Sequence, residues 1–141
     1  MAQHSFQFTL GADAQARAVI EQGLKAYNIE HIGDYGYRDV ELYARDASGA
    51  VVGGLFGHSG MGWLYVDYLW LDDAQRGAGL GAALMAQVED EARRRGCGGV
   101  FLYTYSFQAP AFYARLGFQP MGVLDDCPPG HQRIYLKKPL R

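Results

Sequence analysis

The sequence predicts an α/β fold in which helices interleave among the strands of one sheet. Three observations carry this reading. Short stretches of alternating apolar residues recur along the chain. One nearly continuous apolar run, Trp63 to Leu71, reads as a strand covered on both faces. Directly after a glycine-rich loop, the hydrophobic period changes from strand spacing to steps of four.

The elements follow in order. Phe6, Phe8 and Leu10 alternate and predict an opening strand over 5–10. Asp13 is a candidate N-cap for a helix whose apolar stripe is Ala16, Ile20, Leu24 and Tyr27, ending near Asn28. Residues 29–38 lose that period and read as a loop or one short helical turn on the substrate side. Val40, Leu42 and Ala44 alternate ahead of the turn Asp46-Ala47-Ser48-Gly49, and 50–58 return as the second arm of a hairpin. A second turn, His58 to Gly62, leads into the run 63–71. Leu80, Leu84, Val88 and Ala92 mark a long helix that Arg93-Arg94-Arg95 and Gly96 bring to a stop. Residues 99–105 form another buried strand, 109–118 a short helix ending at Gly117, and 118–123 and 132–136 the last two strands. The order is β-α-β-β-β-α-β-α-β-β, without repeats or linkers.

A chain of 141 residues with 49% hydrophobic and 20% charged side chains builds one domain, spanning 1–141, with a substantial core. Thirteen basic against 15 acidic side chains give a net charge of −2, with none of the clustered positive charge of a nucleic-acid binder. No apolar stretch is long enough to span a membrane, and MAQHSFQFTL lacks the features of a secretory signal, so a cytoplasmic location is expected. Cys97 and Cys127 are too few for a disulfide framework and not spaced as metal ligands; both are expected as free thiols, Cys97 in the core, and no metal is expected.

The 19 glycines cluster, and the group Arg76-Gly77-Ala78-Gly79-Leu80-Gly81 lies between the apolar run and the long helix. Such a loop either lets backbone N–H groups converge on anionic oxygens at a helix N-terminus or simply permits a tight turn. A nucleotide triphosphate site would need Lys-Ser/Thr where Leu80-Gly81-Ala82 stands. A dinucleotide fold would place the loop after the first strand, with an acidic residue about 20 positions on. Here it follows the fourth predicted strand, and Glu89 and Glu91 fall inside the helix.

Arg76, Gly79 and Gly81 match Arg/Gln-x-x-Gly-x-Gly/Ala, the diagnostic motif of the GCN5-related N-acetyltransferase (GNAT) superfamily. Leu69 to Asp73 resemble the strand end that precedes it, with Asp73 where proline is common. Ala109, Phe112-Tyr113 and Leu116-Gly117-Phe118 resemble a second signature of the family, and the resemblance covers nearly the whole chain. It implies a mixed, mostly antiparallel central sheet of six to seven strands, flanked by about four helices, with a V-shaped opening between the fourth and fifth strands. It also implies acetyl-CoA as co-substrate. The backbone of Leu69 and Leu71, with Trp70 between them, would pair with pantetheine, and Arg76, Gly77, Ala78, Gly79, Leu80 and Gly81 would cradle the pyrophosphate. Ser106 stands where the family often has an asparagine that contacts the cofactor, leaving its hydroxyl to bond there, and Ala109 and Tyr113 complete the expected cofactor contacts.

The implied reaction moves acetyl to a primary amine of a small molecule by direct attack; a protein lysine or N-terminus as acceptor, or an acyl-CoA sensor without transfer, are alternatives. Acyl transfer needs a neutral nucleophile, stabilisation of the developing oxyanion and a proton for the departing thiolate. Tyr113 matches the family's general acid. Asp67 is the only carboxylate within the apolar run and reads as a base, an anchor for a cationic substrate, or a solvent-side residue. Strict alternation would put Tyr65, Asp67 and Leu69 on one face. Tyr27, Asn28, Tyr65 and Gln108 are the candidate acceptor contacts; Tyr35, Tyr37 and Tyr105 would cluster nearby, and Gln108 either orients the acyl carbonyl or substrate, or steadies its loop. His58 and His131 read as exposed loop residues, and Cys127 with His131 shows no third group to activate a thiol. A homodimer through exposed strands or the C-terminal hairpin completes the expected partners.

Overall fold

The computed structural model of the chain describes residues 5–141 and divides into two compact units, one ending at Asp34 and the other running from Tyr35 to Arg141. The first four residues of the stretch read above for a secretory signal lie outside the described residues. In the first unit, α1 (Ala14–Ile32) begins where Asp13 caps it: the Asp13 carboxylate accepts from the Ala16 N–H at 3.0 Å. The helix continues past Asn28 to Ile32, where Gly33 with φ 73° ends it, so 29–32 are helical rather than looped. The predicted opening strand is absent. Residues 5–10 form no ladder, and Phe6, Phe8 and Leu10 are exposed; alternation indicates a strand only when another strand pairs with it.

The second unit is built on one six-stranded sheet: β1 (Arg38–Arg45), β2 (Val51–Gly60), β3 (Trp63–Leu71), β4 (Gly99–Tyr105), β5 (Gln119–Asp125) and β6 (Gln132–Pro139), in spatial order β1-β2-β3-β4-β6-β5. All neighbours are antiparallel except β3 and β4. Between those two runs α2 (Leu80–Arg94), the crossover that a parallel pair requires. The short α3 (Pro110–Arg115) links β4 to β5. With the first strand missing, the fourth and fifth predicted strands are β3 and β4. His58 belongs to β2 rather than to a turn, because the ladder runs on to Gly60. It is stacked on Tyr37 at 4.5 Å and is only partly exposed.

The core lies between the sheet and the apolar face of α2, where Leu84, Met85, Val88 and Ala92 pack against Leu55, Leu64, Val66, Val100 and Leu102. Each of the Leu, Val and Met side chains among these contributes roughly 1.5–3 kcal/mol. Tyr113, Phe118 and Cys97 extend this cluster, the last as expected from the sequence.

Two irregularities shape the sheet. β3 and β4 pair only at Trp63↔Gly99, Leu64↔Val100 and Tyr65↔Phe101, then separate while β3 continues to Leu71 and β4 to Tyr105. On its other side, β3 carries a bulge. Phe56 pairs with Tyr68 but Gly57 pairs with Val66, so Asp67 is the extra residue. The bulge inverts the phase of the strand: Leu64 and Val66 are buried before it, whereas Leu69 and Leu71 pack on the core after it. Leu69 therefore shares a face with Leu64 and Val66 rather than with Tyr65, which corrects the strict alternation expected.

The bulge requires a glycine opposite. A Cβ on Gly57 would overlap the carbonyl oxygen of Tyr65, a backbone atom that cannot swing aside. Gly57→Ala is expected to cost about 3 kcal/mol by overpacking, seen as a lower denaturant midpoint with an unchanged slope.

Candidate active site

The divergence of β3 from β4 opens a cavity of about 820 Å³ in the second unit. Its walls come from the end of β3 (Leu69, Trp70, Leu71), the glycine loop and first turn of α2 (Arg76, Gly77, Gly79, Leu80, Gly81), and Ala109 and Tyr113 around α3. These ten are all among the cofactor contacts expected from the sequence. Ala78 lies in the loop without lining the cavity. Ser106 also lies outside it: its hydroxyl accepts from the Gln132 N–H at 2.9 Å and ties the end of β4 to the start of β6.

The glycine loop has the chemistry of an anion site. Gly77 and Gly79 have φ of 79° and 84°, a conformation that side chains disfavour, and a Cβ built on either would meet nothing within 4 Å. The space above the loop is open for a ligand. Gly79 caps α2 without a side-chain hydrogen bond, and the first helical bond runs from Ala83 N–H to Gly79 C=O. The N–H groups of Leu80, Gly81 and Ala82 stand ahead of that bond, at the positive end of the helix dipole, with no acidic residue in the first turn. The Arg76 side chain turns back to the Asp73 carboxylate at 3.3 Å, and its backbone N–H donates to the Asp73 carbonyl at 3.2 Å. Among the described residues, the β3 backbone beyond Tyr65 has no strand partner on the β4 side. That edge suits the amides of pantetheine, and together with the open cradle it fits acetyl-CoA.

A second cavity, of about 270 Å³, is lined by Asp67, Tyr68, Leu102, Tyr103 and Tyr105 among others. Leu69, Thr104, Gln108 and Tyr113 line both cavities and mark where they meet. Tyr113 is 8% exposed, and burial alone pushes its phenol up to about 12. It holds its proton through neutral pH. Thr104, 2% exposed, donates to the Gln108 side-chain oxygen at 3.2 Å, and Tyr105 N–H donates to the same oxygen at 3.0 Å. These two bonds tie the Gln108 side chain to the end of β4.

Tyr65 stands beside these cavities, not in their lining. Its ring packs on Phe101 at 4.9 Å and near His58 at 5.5 Å, and burial first, then the charge of Asp67, push its phenol up to about 12. Tyr35 meets Tyr37 edge-on at 6.3 Å. Tyr27 and Asn28 belong to α1 in the first unit; Tyr27 stacks on His31 at 4.1 Å. Cys127 and His131 are joined through their backbones, Cys127 N–H to His131 C=O, as in a turn.

Thr104 and Arg133 escaped the reading of the sequence. Thr104 is the only hydroxyl-bearing aliphatic residue in the buried run 99–105, a signal that was available. Arg133 lies 4.4 Å over the Tyr103 ring and donates to the Tyr105 hydroxyl at 2.8 Å. Nothing in its local sequence marks it, because β6 brings it to β4 only through tertiary pairing with Tyr105.

Comparison with known proteins agrees with this geometry. Residues 12–118 match the model of the acetyltransferase (GNAT) family. An acetyltransferase of Agrobacterium fabrum is 39% identical over 127 residues, covering 90% of this chain and 93% of that protein. The blasticidin-S acetyltransferase of Streptomyces morookaense is 45% identical over 107 residues, covering 73% and 79%. The crystal structure of an acetyltransferase from Agrobacterium tumefaciens superposes with a TM-score of 0.86 at 38% identity, over 96% of this chain and 99% of that one. With its split sheet, its glycine cradle and these relatives, the chain belongs to the GNAT acetyltransferase family and is an acyltransferase.

Proposed function

We propose that the chain moves the acetyl group of acetyl-CoA to a primary amine of a small-molecule acceptor, by direct attack with both reactants bound. The observation that carries this reading is the pair of cavities that meet at Leu69, Thr104, Gln108 and Tyr113. A large cavity with an anion cradle suits the cofactor, and a small one with a carboxylate suits an amine. The blasticidin-S acetyltransferase, whose name places a small molecule at its acceptor site, supports a small molecule here.

Acetyl-CoA supplies an activated acyl carbon and a thiolate leaving group. The glycine loop and the first turn of α2 hold its pyrophosphate, and the free edge of β3 aligns its pantetheine arm. Asp67, placed by the bulge in the lining of the smaller cavity, attracts the acceptor ammonium and draws off its proton. Tyr113, buried and protonated, gives its proton to the sulfur as the carbon–sulfur bond breaks.

Released thiol, measured against a panel of primary amines, tests the reading: acetyl-CoA binds saturably and thiol appears only when an acceptor is present. Binding without release from any amine would instead favour a sensor. Tyr113→Phe is expected to lower kcat about 100-fold while the acetyl-CoA dissociation constant stays within threefold. Because the phenol is pushed to about 12, the wild-type kcat should show no alkaline decline from this group below roughly pH 11. Asp67→Asn is expected to lower kcat/KM for the amine about 100-fold, again with acetyl-CoA affinity preserved.

A further inference from the structure

The orientation of the Gln108 amide is fixed by a backbone donor that cannot change roles. The Ala109 N–H reaches the Thr104 hydroxyl oxygen at 3.5 Å, so the Thr104 proton is free to turn to Gln108. Tyr105 N–H, a donor only, points to the same Gln108 atom at 3.0 Å. An atom that accepts from a backbone N–H is the amide oxygen, which leaves the amide nitrogen as the other end of the group. The loop backbone is itself held by Gln108 N–H to Tyr105 C=O at 2.8 Å. Gln108 lines both cavities where they meet, as Tyr113 does.

We propose that Gln108 is a catalytic residue whose side-chain N–H donates to the oxygen of the acyl carbonyl. The inference rests on the acetyl-transfer reading above. As the amine attacks, the nitrogen–carbon bond forms and the carbonyl electron pair moves onto oxygen. It returns as the carbon–sulfur bond breaks; the amine, which enters neutral once its ammonium proton has passed through Asp67 to solvent, loses its surplus proton to the emptied Asp67 carboxylate, and the thiolate takes the Tyr113 proton, which solvent restores. Gln108 neither gains nor loses an atom. Its hydrogen bond shortens on the charged oxygen, and because Thr104 and Tyr105 hold the amide in place beforehand, little reorganisation is needed during the reaction.

Gln108→Glu tests this. A carboxylate still accepts from Thr104 and Tyr105 but has no N–H for the acyl oxygen. The expected result is a kcat about 100-fold below wild type, with melting temperature and acetyl-CoA dissociation constant unchanged. The deficit should narrow as pH falls toward the carboxyl range, because the protonated side chain regains a donor. Infrared spectra of bound acetyl-CoA labelled with 13C at the carbonyl provide a readout independent of any acceptor: the carbonyl stretch should lie at lower frequency in wild type than in Gln108→Glu. A variant with kcat within threefold of wild type and the same carbonyl frequency would overturn the proposal while leaving the transferase reading intact. A loss that follows melting temperature, with no change in carbonyl frequency, would reduce Gln108 to a brace for the loop. Wild type that releases no thiol with any amine would sink the transferase reading, and the proposal with it.

Discussion

The structure depends on the incomplete pairing of its two central strands. β3 and β4 share three residue pairs and then separate, although both remain anchored to other neighbours, β3 to β2 and β4 to β6. A sheet that opens at its centre leaves backbone donors and acceptors without partners, which is costly unless water or a ligand satisfies them. The opening also brings loops from both strands to one place. The glycine loop leaves the end of β3 and Gln108 follows the end of β4, so a single divergence brings the cradle, Tyr113 and Gln108 to one cavity.

The bulge at Asp67 is the second constraint and acts on the same strand. One extra residue turns Leu69 and Leu71 onto the core and leaves a carboxylate out of register at the edge of the small cavity. Without it, the charged residue and the two leucines would follow one alternation, and either Asp67 would be buried or the leucines exposed. Gly57 makes the distortion possible by giving the Tyr65 carbonyl room to approach.

Much of this was legible beforehand, for reasons that differ by element. The α2 period, its basic last turn and its closing glycine are local features, as are the Asp13 cap and the motif Arg76-x-x-Gly79-x-Gly81, and all stand where they were read. The stretch 5–10 misled because alternation describes a surface and not the partner that a strand requires. The bulge was written in the run 63–71, where the aliphatic residues fall at 64, 66, 69 and 71: the step of three marks the extra residue. Arg133 was out of reach, since its tyrosine partners are assembled by strand pairing across 28 residues. The orientation of Gln108 was out of reach as well, since only the donors on Thr104 and Tyr105 show which end of its amide is the oxygen.

A cofactor seated in the opening between β3 and β4, with its phosphates on the glycine loop, would perturb a defined set of backbone amides. These are read from the resonances of the 15N-labelled protein as acetyl-CoA is added. Saturable shifts should concentrate at Leu69, Leu71, Gly77 to Ala82 and Gln108, and leave the β1–β2 turn unmoved. Shifts that saturate on another face, or none at millimolar acetyl-CoA, would contradict the account.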